Sequence, residues 1–159
     1  MPTGRLGGAL DLFTRAAVTL WVGGLWVTGY LVAPVVFATL EDRALAGVLA
    51  GRLFDSLAVI GLGCGSLLLG LRAVGRGRRV CGDPVAWIVA GMLALAAVGH
   101  WGLQPIVAGL RDAGFAAALP GSPQRQTFAF WHGVASAAYL VESLLGLALV
   151  WAVGRRSSP

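Results

Sequence analysis

Glu142 is the residue least expected in its surroundings. It interrupts an apolar run from about Phe128 to Gly154. It lies 14 residues in from Phe128, roughly 21 Å by helix rise and near the middle of the run, which is mid-membrane depth if that run spans a bilayer. A charged carboxylate there costs several kcal/mol, about 3 or more, unless it is neutralised or paired. Two readings follow: a proton relay or ion site, or a protonated Glu bonded to a neighbouring helix. No Arg lies within the apolar runs to pair with it.

Two histidines accompany it. His132 opens the same run, and His132, Ser136, Tyr139 and Ser143 lie within about 40° of one helical line, with Glu142 on its flank. His100 and Gln104 share a face of the preceding apolar run at spacing i, i+4. Both imidazoles fall at similar depth on helices joined by one loop. Such a pair could ligate a metal ion or hold haem axially. The alternative is that each is an interfacial polar residue bonded to a loop. The only methionines are Met1 and Met92, which disfavours copper held by thioethers. Cys64 and Cys81 match no zinc spacing, and a free thiol is expected of Cys81 in its Arg-rich loop. No nucleophile with a base, no phosphate loop and no metal cluster is present in the sequence. We therefore expect no catalytic residues and a non-enzymatic protein.

The elements that must carry these groups are apolar. Hydrophobic residues make up 57% of the 159 residues and charged residues 12%. Soluble domains average about 25% charged. The mean hydropathy is +0.79. These values exclude a soluble enzyme, a disordered tail and a nucleic-acid-binding domain, and make the lipid bilayer the expected partner. Four runs long enough for membrane helices are expected, at about 16–40, 53–72, 85–104 and 128–154. The second, Ser56 to Leu71, reaches full length only with Leu53 and Phe54, and with Arg52 and Arg72 snorkelling. Lone strands cannot satisfy their backbone in lipid, and four cannot close a barrel. The expected fold is thus all-α, a single transmembrane domain over 1–159 forming a four-helix bundle. The first run is too long for the core of a cleaved signal peptide and reads as an uncleaved anchor.

Arginine placement orients the bundle. All 12 cations are Arg. Arg5, Arg15, Arg72, Arg76, Arg78, Arg79, Arg155 and Arg156 fall on one side. Arg43, Arg52, Arg111 and Arg125 fall on the other, matched by Glu41, Asp42, Asp55 and Asp112. The rule that cationic loops stay inside predicts a multi-pass protein of the cell inner membrane with both termini cytoplasmic. The loop Glu41 to Asp55 is expected to form a short interfacial helix. The first part of the loop after Pro105, Ile106 to Leu119, should lie along the membrane surface.

Glycine supplies 24 residues, many of them inside the runs. Helices in lipid associate where small residues let backbones approach. Gly61 and Gly65 have that spacing and predict an internal packing seam, with a homo-oligomer seam as the alternative. Trp26, Tyr30, Ala33 and Phe37 form one helical stripe, read first as packing and second as a ligand box. Trp87, Trp101, Trp131 and Trp151 suit interfacial belts. Pro34 and Pro105 should end or kink their helices near the outer rim. A site, if present, is expected at that rim.

The segments Trp21-Val-Gly-Gly-Leu-Trp26, Ala33-Pro-Val-Val-Phe37, Ala50-Gly-Arg-Leu-Phe54, Leu103-Gln-Pro105 and Trp131-His-Gly-Val-Ala-Ser136 resemble the transmembrane protein 205-like family. The resemblance runs from about residue 12 to residue 150. It implies a four-helix membrane protein carried as a domain of unknown function. It also hints at stress tolerance, because the eukaryotic namesake is associated with platinum-drug resistance. By the same resemblance His132 and Pro105 stand at positions the family tends to keep. Gln104 stands where an acid is frequent, and Tyr139 where Asn is. The expected function is binding, assembly or stress and metal tolerance. The alternatives are a haem- or metal-binding redox protein and a proton-coupled transporter using Glu142 as a homodimer.

Overall fold

A computed structural model describes residues 3–113 and 121–155. Its described residues form an all-α bundle of four membrane-spanning rods. The first rod is α1 (Thr3–Val27), a π turn (Thr28–Val32) and α2 (Ala33–Thr39). The second is α3 (Arg43–Arg76), followed by a 3-10 turn (Gly77–Gly82). The third is α4 (Pro84–Ala97), a second π turn (Val98–Leu103) and α5 (Gln104–Asp112). The fourth is α6 (Pro123–Gly154). Their membrane-compatible stretches run Gly7–Thr39, Arg43–Gly75, Pro84–Asp112 and Pro123–Gly154. Only 22–28% of each rod's most apolar stretch is buried in the bundle. The remaining apolar surface needs lipid as its solvent.

Short polar signals start the rods. The Asp42 carboxylate accepts from the amides of Ala44 and Leu45 at 2.8 and 3.1 Å and starts α3. Asp83 accepts from Val85 at 3.1 Å, with Pro84 at the first helical position of α4. Ser122 and Pro123 start α6 in the same way. Each supplies an acceptor to amides that have no helical partner. Gly77, at φ 54°, ends α3 in a conformation that side chains disfavour.

Two expectations change. Residues 43–55 are not a separate interfacial helix; they are the first turns of α3, which begins 13 residues before the apolar run at Ser56. Pro105 does not end its helix, because the third rod continues to Asp112. Ile106 to Asp112 therefore extends that rod, and residues 114–119 of the expected surface segment lie outside the described ones. The π turns explain how the rods pass their prolines. Ala33 donates its amide to Thr28 O and Gln104 donates to Gly99 O, each five residues back. Each wide turn sits directly before a proline, where the ring would otherwise press on the carbonyl four residues earlier. The first and third rods thus share one device at the same end of the bundle.

Packing runs around a ring: α1 on α3, α3 on α4, α4 on α6, and α6 back on α1. The core holds Trp21, Val22, Leu25, Leu68, Val85, Val89, Met92 and Leu149. Trp21, 1% exposed, lies against Gly61 and Gly65 of α3. A Cβ on Gly65 would stand 2.7 Å from Trp21 Cζ3 and 2.6 Å from Leu93 Cγ. The pair spaced by four is therefore an internal seat for one large ring. At the arginine-rich end, Arg72 Nη1 donates to Asp83 Oδ2 at 2.8 Å, both side chains being largely buried. The Trp87 indole donates to Cys81 O, and Arg155 stacks over Trp151. Both cysteines are free thiols.

Candidate functional site

The core fills the middle and the arginine-rich end of the bundle. The proline-bearing end is hollow. A cavity of about 600 Å³ opens there between the rods. The five polar residues singled out from the sequence, Tyr30, His100, Gln104, His132 and Glu142, all line it, as do Pro34, Ser136 and Tyr139. Trp26 stands behind the wall, stacked on Tyr30 at 4.7 Å. Gly61 and Gly65 lie deeper and serve packing alone.

Each lining group is placed by its element. Tyr139 points from α6 across to the first π turn. Its hydroxyl donates to Leu25 O at 2.6 Å, and its ring rests on Gly29, where a Cβ would collide with it. Phe54 of α3 meets Tyr139 edge-on at 5.0 Å. Tyr30 faces the same ring at 6.3 Å. Aromatic side chains from three rods thus line one volume. Ser136 and Ser143 return their hydroxyls to the carbonyls of His132 and Tyr139 in their own helix, so neither needs an outside partner.

Glu142 forms the inner limit of the cavity. It is 7% exposed, and its side chain is paired with Trp21. Beneath it Ser143, Met92 and Leu149 are fully buried, which closes the way to the other end. At the mouth, Gln104 Nε2 donates to Gly51 O at 3.0 Å and Arg111 Nη1 donates to Gly47 O at 3.0 Å. Arg111 also meets Asp112 at 3.3 Å. Glycine at 47 and 51 lets the Arg111 stem lie along the α3 backbone. These bonds tie α5 to α3 at the mouth.

The two histidines share the cavity wall but have different neighbours. His100 Nδ1 lies 2.7 Å from Asp55 Oδ1, a close contact without the alignment of a hydrogen bond. His132 stacks on Phe128, ring centres 5.6 Å apart and nearly parallel. Among the described residues no three His, Cys, Asp or Glu side chains converge as a metal-binding group. The Trp26 indole N–H is buried and finds no acceptor.

Sequence reasoning passed over Phe54 as a wall, Arg111 as a clamp and Asp83 as a buried partner. Asp83-Pro84 carries the usual helix-start signal and could have been read as such. Gly47 and Gly51, spaced by four, were a sign of a close neighbour. Phe54, between Arg52 and Asp55, had no signal of its own as a wall, since it was read as part of the edge of the second span.

Comparison with curated proteins and with solved structures gives no match. A family model matches residues 16–116, from α1 through α5 and a few residues beyond, leaving outside it the fourth rod with His132, Tyr139 and Glu142. On that match the chain, with its four spanning rods, belongs to the domain of unknown function family DUF4149.

Proposed function

We propose that this protein is a non-enzymatic membrane receptor for a small apolar molecule, held in the cavity between its rods and admitted from outside the cell. The observation that carries the reading is the cavity itself. Its volume of about 600 Å³ lies within the usual range for small-molecule sites. Its lining is mostly apolar, with a few polar groups at the mouth and one carboxyl at the inner end, the composition such sites have. Arginine counting supports an outward mouth with both termini in the cytoplasm, in a bacterial inner membrane. Kinship with the transmembrane protein 205-like family is part of the same proposal and suits a role in stress tolerance.

The haem or metal reading has less support, because His100 leans on Asp55 and His132 on Phe128. Proton-coupled transport would need the Met92 and Leu149 layer to open. Binding of phenylnaphthylamine to the protein in lipid nanodiscs, set against empty nanodiscs, tests the proposal. We expect saturable binding to the native chain and its loss in Ala135→Phe, which fills the wall. Binding no greater than to empty discs would overturn the reading.

A further inference from the structure

We infer that the cavity selects an organic cation, a ligand with an alkylated positive centre on an apolar body. The inference rests on the binding reading above and adds the charge of the ligand. Three aromatic side chains from three rods, Tyr30, Phe54 and Tyr139, line one volume, with the Tyr139 ring centre 5.0 Å from that of Phe54 and 6.3 Å from that of Tyr30. Trp26 backs Tyr30 at 4.7 Å and fixes that ring. The faces of aromatic rings carry negative potential and attract a desolvated cation.

The same cavity ends at Glu142. Trp21 offers that carboxyl a hydrogen bond but no charge. The nearby basic side chains have other work at the mouth: Arg111 holds Gly47 O and Asp112, and His100 faces Asp55. A buried acid in apolar surroundings lacks a counter-charge that the protein does not supply from within the cavity. A ligand cation supplies it. The same carboxyl disfavours an anion. A neutral apolar ligand would gain the walls alone.

Three probes of one shape class separate the cases in nanodiscs: phenethyltrimethylammonium, its uncharged carbon isostere neohexylbenzene, and phenylpropanesulfonate. We expect the ammonium to bind about tenfold or more tighter than the isostere, with the sulfonate weakest. Glu142→Gln, which keeps the side chain's shape, should remove most of that preference. Phe54→Leu should reduce it while leaving the isostere bound. Equal binding of ammonium and isostere would overturn the inference and leave the binding reading standing. A preference that survives Glu142→Gln would overturn the role given to the carboxyl. Failure of all three probes and of phenylnaphthylamine would overturn both.

Discussion

Single side chains decide this structure where they are least replaceable. Trp21 needs bare backbone at Gly61 and Gly65, and the α1–α3 seam closes only because both lack a Cβ. Gly65→Ala should destabilise the protein by about 1–3 kcal/mol, the usual cost of overpacking. Gly63, two residues away, is exposed with nothing within 4 Å of a built Cβ. Gly63→Ala should therefore be neutral or stabilising by up to about 1 kcal/mol. Equilibrium unfolding of both variants in mixed micelles checks the contrast; equal losses would contradict the seat. The polar residues of the site were legible at this scale, because a Glu, a His or a Gln inside an apolar run is costly wherever it sits. His100, Gln104, His132 and Glu142 stand out on that ground and Tyr30 through its aromatic stripe, and the fold brings all five to one cavity. What they do there was not legible. Gln104 spends a donor on Gly51 O, 53 residues away, and no spacing rule connects the two.

The rods show why boundaries were harder to read than existence. Counting apolar residues stopped the second span near Leu53, yet α3 starts at Arg43 with Arg52 and Asp55 on its exposed side. A helix can leave the hydrocarbon and keep its hydrogen bonds, so polarity marks the membrane edge and not the helix end. Pro34 and Pro105 were read as ends or kinks of their helices, because a proline ring disturbs the preceding turn. The π turns before them, which only the backbone reveals, let the helices run on. Two tests belong to this scale. Arg111→Ala removes a cationic clamp on Gly47 O, so amide exchange across Gln104–Asp112 should quicken roughly tenfold. Hydrogen-exchange mass spectrometry reads it, and unchanged exchange would show that α5 holds without the clamp. At the opposite end, Asp83→Ala strands the Arg72 guanidinium and removes a cap. That loss should cost about 3–5 kcal/mol. The pair Arg72→Met with Asp83→Ser, which keeps the cap and removes both charges, should cost clearly less in the same unfolding assay.

As a whole the molecule is packed solid at one end and hollow at the other. The solid end carries the buried Arg72–Asp83 pair and the large buried residues; the hollow end carries the prolines, the histidines and the mouth. The all-α bundle of four spans was legible because lipid leaves so few options to a chain of this hydropathy. The cavity was not, since a void is a property of four rods together and of no one of them. That asymmetry gives the proposed function its direction: a ligand enters at the hollow end, and the closed layer under Glu142 keeps it there. The most direct test is cysteine labelling in intact cells with a membrane-impermeant maleimide. In a Cys64→Ser background, Ser136→Cys, which lines the cavity, should react from outside. Cys81, exposed at the solid end, should react only after the membrane is permeabilised. Labelling of Cys81 in intact cells, with Ser136→Cys silent until permeabilisation, would contradict the account.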